Sequence, residues 1–494
     1  MPNLSAMKLP IPLSPCNTQS TFGLVLLLAS LATPCLAWDP YPADPFKVMG
    51  AGSRLPPGLA HNSIADPCVL SAPSSSVQLA DAVEHALCHN PQTRGAWANI
   101  RAQAAQVGVA TAAYLPTLNA SIQGVRDHAI LNTPVYPTLS TDHASTYQTD
   151  TITLSWMLYD FGARSAALEY AKQLLVAAQA NYDNALQKTF ASTIKDYYAA
   201  AAAQDAVVAA RENEQTAKQS LKVASARMSG GVAAVSDQLQ AQTAYSQAVI
   251  TRVKAEGTLH NTMGVLALDM GQPIGRVAMV SHVDDATSAV SSDSNTIHEM
   301  LAEAERQHPS LRAARAQRDA AMSKADQVRA QGRPSISLTA RASRSTQPES
   351  LGTGMPTTPA RAQERYVGLQ LDIPIFEGFG RTYQIRNAEA QVEVQEATLA
   401  DAEQQVAKDV WTSYQDLKTS EENVQATRDL LDSAQAAFNA GKKRYQTGVV
   451  DILELLNVQT ALATARQQRI QAIADWHTAR YQLASALGKL IPVN

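Results

Sequence analysis

The chain has 494 residues, of which 17% are charged and 5% aromatic, and its net charge is -4. No basic excess points to a nucleic acid partner, and a composition poor in aromatics but crowded with Ala and Gln suits thin, close-packed helices better than the thick core of an enzyme. Because a helical period is sustained through much of the sequence, length is a poor guide to domain count.

The amino terminus carries one apolar run, from Phe22 to Pro34, followed by Cys35-Leu-Ala37. This reads as a secretory signal over residues 1–37, with Lys8 its one charge and cleavage after Ala37. Pro34 stands where a lipid-anchored Cys35 would want a small flexible residue, which disfavours an acyl anchor. No other stretch approaches the roughly 20 apolar residues that a spanning helix needs. If Cys16 and Cys35 leave with the signal, Cys68 and Cys88 remain in an oxidising compartment. A disulfide pinning tail to helix is the first reading. His85, Cys88 and His89 imitate a metal cluster, but they offer only three candidate ligands and have no companion site downstream. No cofactor is implied.

Residues 38–78 are rich in Pro, Ser and Gly and lack a period, which predicts an irregular tail on the surface of something larger. A first repeat occupies 79–268. It opens with a helix over 79–113 and continues with two alternating strands, Thr117–Ile122 and Thr151–Leu158, in a hairpin spanning 117–160. The second strand places Ile152, Leu154, Trp156 and Leu158 on one face. A long helix then runs to a tip turn at 229–236, marked by Gly231, and a return helix comes after it. Beyond a linker at 269–296, the same order comes back over 297–487, with a hairpin at 335–376 and a tip turn at 447–451 marked by Gly448; residues 488–494 form a carboxy-terminal tail. Asn90-Pro91 matches His308-Pro309, Leu115-Pro116 matches Arg333-Pro334, and Phe161-Gly162 matches Phe379-Gly380, each 218 apart, while Gly231 and Gly448 lie 217 apart. So constant an offset is an internal duplication.

Between Pro374 and Pro492 there is no proline. Within this stretch Val410, Leu417, Val424, Leu431, Phe438 and Tyr445 recur every seven residues, and Ser413, Ser420, Thr427, Ala434 and Gly441 come three residues behind. One seam thus alternates large knobs with small holes, the pattern of closely approaching helices in a left-handed supercoil. Each long helix, at about 67 residues, would span on the order of 100 Å, and the shorter helices about half that. A helix returning from the tip covers only the lower half of its long partner. The linker, the tail and the carboxy terminus should therefore gather at mid-height as a belt.

Four strands of alternating character fit the wall of an outer-membrane barrel, with Thr151, Thr153, Ser155, Gln370 and Asp372 facing water. Four strands cannot close a barrel, and open sheet edges are not tolerated in lipid. Two chains would make a filled eight-stranded barrel, whereas three would make twelve strands and leave a passage. A soluble sheet with one buried face explains the alternation but neither the export signal nor the duplicated hairpin.

The two strand-to-helix corners, Trp156-Met-Leu-Tyr-Asp-Phe-Gly-Ala-Arg164 and Pro374-Ile-Phe-Glu-Gly-Phe-Gly-Arg381, together with both tip turns and the ending Ala484-Ser-Ala-Leu-Gly488, resemble the TolC family of outer-membrane channel-tunnels across the whole mature chain. The stretch Ala86–Trp97, preceded by Asp66-Pro-Cys68, looks more narrowly like the CyaE branch, which exports an adenylate cyclase-haemolysin toxin by type I secretion. The resemblance implies an α+β membrane protein: a homotrimer with a twelve-stranded β-barrel in outer-membrane lipid, continuous with a long α-helical coiled-coil barrel and a mixed equatorial belt. It also implies a periplasmic membrane-fusion adaptor, an inner-membrane ABC exporter and an exported polypeptide as partners. At the periplasmic entrance, Glu454 and Asn457 fall where the family narrows its bore with carboxylate rings, usually Asp at both. Tyr445 and Asp237 match lock positions, Ser236 stands where threonine is usual, and Val450 stands where a lock arginine is familiar.

The leading expectation is a passive export duct. No metal-spaced His pair, phosphate-cradling glycine loop or nucleophile elbow occurs. A drug or metal efflux duct, a structural coiled-coil tether and an envelope hydrolase are the alternatives.

Overall fold

The computed structural model describes residues 44–48, 77–275, 280, 297–350 and 357–489. The signal at 1–37 with Cys16 and Cys35, most of the tail including Cys68, most of the linker, and residues 490–494 lie outside the described residues. The chain divides into a unit Met1–Pro45, of which only Asp44 and Pro45 are described, and a unit Phe46–Asn494, which holds every helix and strand named below.

The elements of this unit run α1 (Leu79–His89), α2 (Pro91–Ala112), β1 (Thr117–Leu131), β2 (Thr141–Tyr159), α3 (Ala163–Ser229), α4 (Val235–Asp269), α5 (Ile297–Gln307), α6 (Pro309–Ala330), β3 (Ser335–Ser345), β4 (Glu349–Ser350), β5 (Thr357–Thr358), β6 (Ala362–Asp372), α7 (Gly380–Gln446) and α8 (Ile452–Ala486). The helix expected over 79–113 is broken at Asn90. Its carboxamide accepts from Gln92 N at 2.8 Å, and Pro91 occupies the first helical position, where no amide donor is needed. The repeat does the same with another residue: His308 Nδ1 accepts from Ser310 N at 3.2 Å, ahead of Pro309.

Helices α3 and α7 have 67 residues each, which at 1.5 Å per residue is about 100 Å. In the half nearer the sheet, α3 packs between α2 and α6, and α6 leads on to α7; in the other half α3 packs between α4 and α8, and α8 leads on to α7. One edge of the protomer is therefore α7 along its whole length, and the other is α2 above α4. Along α7 the seam residues Val410, Val424, Phe438 and Tyr445 are buried, as are Ser420, Ala434 and Gly441 between them. A Cβ on Gly441 would come within 2.9 Å of Val458 Cγ2, so α7 and α8 approach at a distance only glycine allows.

Mid-length of α3 is where tail and linker meet. Val77 forms a parallel bridge with Val280, Tyr197 donates its hydroxyl to Val77 O at 3.3 Å, and the pair packs on Phe190, Ile194, Leu266 and Met270. The end of the described chain docks at mid-length of α7, where Leu487 joins Ala304, Leu311, Val406 and Val410, and Lys489 pairs with Glu303 at 3.5 Å.

The four-stranded antiparallel sheet has the order β1-β2-β3-β6, with β1 and β6 as free edges. Strands β1 and β2 are 15 and 19 residues long, well beyond the six and eight residues expected, because their outer halves lack the apolar alternation that marks a strand in sequence. A bulge between Met157 and Tyr159 sets Tyr159 opposite Ile336, so Tyr159 continues the apolar face where Leu158 was expected to. The bulge lies at the corner, where β2 turns into α3 through Phe161 and Gly162 in left-handed conformations. Arg164 clamps this corner: it pairs with Asp160 at 3.0 Å, donates to Met157 O at 2.7 Å, and lies 4.8 Å over the Tyr114 ring. Arg381 braces the second corner by pairing with Glu377 at 2.9 Å.

Candidate functional site at the helical tips

At the end remote from the sheet, α3 turns into α4 and α7 into α8 within a few residues. Gly231 and Gly448 take φ of 76° and 78°, and the amide of the next residue bonds back to the helix, Val232 N to Arg227 O and Val449 N to Arg444 O, each at 3.0 Å. This is the left-handed glycine terminus that closes a helix without strain. The two turns differ in how the returning helix begins. Asp451 caps α8 by accepting from Glu454 N at 3.0 Å, whereas α4 begins at Ala234 without a side-chain cap.

The turns enclose an apolar knot in which Phe438, Tyr445, Ile452, Leu455 and Leu462 pack with Ala224 of α3 and Ala241 of α4. Val450, at the position where a lock arginine was expected, packs against this knot as a partly buried hydrophobe. An arginine reaches the same place from the other hairpin. Arg227, in the last turn of α3, donates from Nη1 to Tyr445 O at 2.8 Å, and its guanidinium lies 4.8 Å over the Tyr445 ring. The hydroxyl of Tyr445 is buried with no hydrogen-bond partner in the protomer, and Asp237 instead accepts from Ser236 Oγ at 3.2 Å. A bond between Tyr445 and Asp237 is thus not made within the protomer. What ties the tips together is Arg227 on the backbone and ring of Tyr445.

Glu454 and Asn457 lie three residues apart on α8, opposite the buried Ile452, Leu455 and Gln459, so they share the more exposed face. Glu454 does not stand as a bare carboxylate: its Oε1 receives Arg444 Nη1 at 2.7 Å, across the turn from α7. Arg227 and Arg444 are 217 residues apart, as the two tip glycines are. The offset that relates the turns relates these arginines too, but it carries no sign of their different partners. Farther from the tip the hairpins are joined by polar pairs, Ser220 with buried Gln459 at 3.2 Å and Arg466 with Glu212 at 3.0 Å, while Arg252 ties α4 to α3 within the first hairpin through Glu214.

Cys88 lies on α1 and is disulfide-bonded, while Cys68 is outside the described residues. His85 and His89 stack with ring centroids 5.8 Å apart, and among the described residues no cluster of three His, Cys, Asp or Glu side chains is placed to hold a metal.

Known proteins share this fold. The family described as Outer membrane efflux protein matches residues 82–272 and 300–489, which takes in both hairpins and both tips. Protein CyaE of Bordetella pertussis is 30% identical over 460 residues, covering 89% of this chain and 90% of that protein. The alkaline protease secretion protein AprF of Pseudomonas aeruginosa is 24% identical over 419 residues, covering 83% of this chain and 84% of its own length. Among solved structures, the outer membrane protein VceC of Vibrio cholerae superposes with a TM-score of 0.70 at 18% identity, over 83% of this chain and 96% of that one.

Proposed function

The chain belongs to the outer membrane efflux protein family, the TolC family of channel proteins, and from that premise we propose that it is the passive duct of a type I secretion machine for a polypeptide, an adenylate cyclase-haemolysin-like toxin. It is an outer-membrane protein that reaches into the periplasm. TolC-family channels form homotrimers and work with adaptors and inner-membrane transporters. For this chain, the proposed partners are a periplasmic membrane-fusion adaptor and an ABC exporter, which supplies the energy. The observation that carries the secretion reading is the likeness to CyaE over nearly the whole chain. Deleting the gene in the source bacterium is expected to remove one large polypeptide from the culture medium and leave it inside the cell, with return on complementation. An unchanged set of secreted proteins, combined with raised sensitivity to dyes and antibiotics, would instead support the efflux reading that the family description favours.

In this reading the tips are the entrance. Three copies of Glu454 and Asn457 narrow the bore, and closure rests on Tyr445, Ser236 and Asp237 together with Arg227, which is tied to Tyr445 within each protomer. Tip turns at Gly231 and Gly448 keep the hairpin ends compact while the helices above them shift. Cys88 is proposed to pair with Cys68, holding the tail to α1; thiol labelling of the unreduced, denatured mature protein should find neither free, and two labelled thiols would refute the pairing.

A further inference from the structure

We propose that the outer face of the sheet carries, at its distal rim, a binding surface for the phosphorylated headgroups of the outer leaflet, built from Arg126, Arg344, Arg361 and Arg365. The proposal rests on the outer-membrane location and on the register of the sheet. Antiparallel pairing places Leu118, Leu154, Ala340 and Val367 in one row, and Ala120, Ile152, Ala342 and Arg365 in the next. The row beyond holds Ile122, Asp150, Arg344 and Gln363. Toward the helices come Trp156, Leu338 and Leu369, then Tyr159, Ile336 and Leu371. This is the convex face: along β2, Asp142, Ala144, Thr146, Gln148 and Ile152 are exposed while their odd-numbered neighbours are half-buried, and Ser337 on the concave face of β3 is buried.

The apolar rows end where the arginines begin. From Leu371 to Arg365 is six residues of β6, about 20 Å along the strand and about 15 Å of height at a tilt near 40°. Below Leu371 the exposed Ile375, Phe376 and Phe379 prolong the apolar surface, bringing it toward the roughly 25 Å band of an outer-membrane barrel. Arg365 and Arg344 therefore stand at the distal edge of the hydrocarbon. Arg126, four residues beyond Ile122 on β1, lies higher among the headgroups, as does Arg361 at the start of β6.

The two rims treat arginine differently. Near the helices, Arg164 is paired with Asp160 and Arg381 with Glu377. On the distal rim, none of Arg126, Arg344, Arg361 and Arg365 has an ion pair or hydrogen bond within the described protein, and all are exposed. Of the carboxylates on that face, Asp142 is paired with His128, and Asp150, opposite Arg344 in the register, accepts from Gln148 Nε2 at 2.7 Å and forms no ion pair with that arginine. Unpaired guanidinium groups at a hydrocarbon edge call for an anion held at that depth. Phosphate on a lipid headgroup supplies it, because a planar guanidinium binds phosphate through two parallel N–H donors.

The test uses the full-length trimer in neutral detergent. Native mass spectrometry would compare retention of bisphosphorylated lipid A with that of the same lipid after dephosphorylation. The expected preference is about tenfold or more. Arg126→Gln, Arg344→Gln, Arg361→Gln and Arg365→Gln combined should abolish it, and the corresponding lysine variant should keep part of it. Equal retention of the two lipids by the parent, an undiminished preference in the glutamine variant, or displacement of the lipid by an equal concentration of inorganic phosphate would overturn the proposal. Should the glutamine variant form no heat-stable trimer, the parent decides alone: a preference that fades with added salt supports the arginine surface, and one indifferent to salt overturns it.

Discussion

Two arginines at equivalent places in the duplicated sequence do different work at the tips. Arg444 pairs with Glu454 at 2.7 Å, with both side chains about half exposed. Such a surface pair is worth about 0–1 kcal/mol, so it tempers the charge of the carboxylate without fixing it. Like charges repeated around a narrow bore raise the local concentration of cations. Arg444→Gln is therefore expected to strengthen block by a trivalent cation applied from the tip side, and Glu454→Ala to abolish it; block indifferent to both changes would remove Glu454 from the constriction. Arg227 holds Tyr445 by a hydrogen bond and a cation–π contact, together worth about 1–3 kcal/mol per protomer. Arg227→Gln should raise single-channel conductance without lowering trimer yield, whereas Tyr445→Phe should be nearly silent, because the hydroxyl has no partner in the protomer. The reverse order would return the lock to a hydroxyl bond reaching another protomer. The family resemblance pointed to Tyr445 as a lock position, but nothing in the sequence pointed to Arg227, since reaching over from a neighbouring hairpin is a property of the packing.

Among the elements, what was legible came from periodicity, and what was hidden came from capping and context. Along the heptad Val410, Val424, Phe438 and Tyr445 are buried and Leu417 and Leu431 half-buried, and Gly441 marks a place where α7 and α8 approach closely. Gly441→Leu, set against Val458 at 2.9 Å, should force α7 and α8 apart and lower the thermal stability of the trimer by several degrees. A melting temperature equal to the parent's would mean that the seam yields freely. The break at Asn90 was not anticipated, because Asn-Pro in mid-helix can be read either as an interruption or as a fresh start. The outer half of β2 was missed because both of its faces are largely polar, and that of β1 because Arg126, Asp127 and His128 interrupt the alternation. At mid-height α3 sets Asp196 against Asp269 at the end of α4, and burial together with that neighbouring carboxylate raises Asp196 to about pKa 7. The unfolded side chain ionises near pH 3.8, so its contribution is complete below that value and is lost as pH rises through about 7. Asp196→Asn should therefore raise the melting temperature at pH 8 and bring little or no gain near pH 4, where parent and variant are both uncharged at this position. An equal gain at both values would show that the two carboxylates do not repel.

For the whole molecule, the decisive features are the two free sheet edges and the polar concave face. One protomer leaves β1 and β6 unpaired, and hydrocarbon does not accept unpaired backbone groups, so the sheet must close on other copies. In the family three copies do so, giving twelve strands around a lumen that continues into the helical barrel. The protomer's architecture was legible from sequence because it depends on counts that sequence preserves, namely strands per repeat, helix lengths and the offset of the duplication; that three copies close the barrel came from the family resemblance. The partners and the cargo are matters of surface recognition, for which those counts carry no signal. Everything turns on whether three chains make one continuous duct. The most direct measurement is single-channel recording of purified full-length protein in a planar bilayer, with gel separation of heated and unheated samples to identify the trimer. Trimers should give discrete, long-lived conductance steps that a trivalent cation on the tip side closes, while heat-dissociated chains give none. Trimers that insert into the bilayer but pass no current, whether or not Arg227 is present, would contradict it.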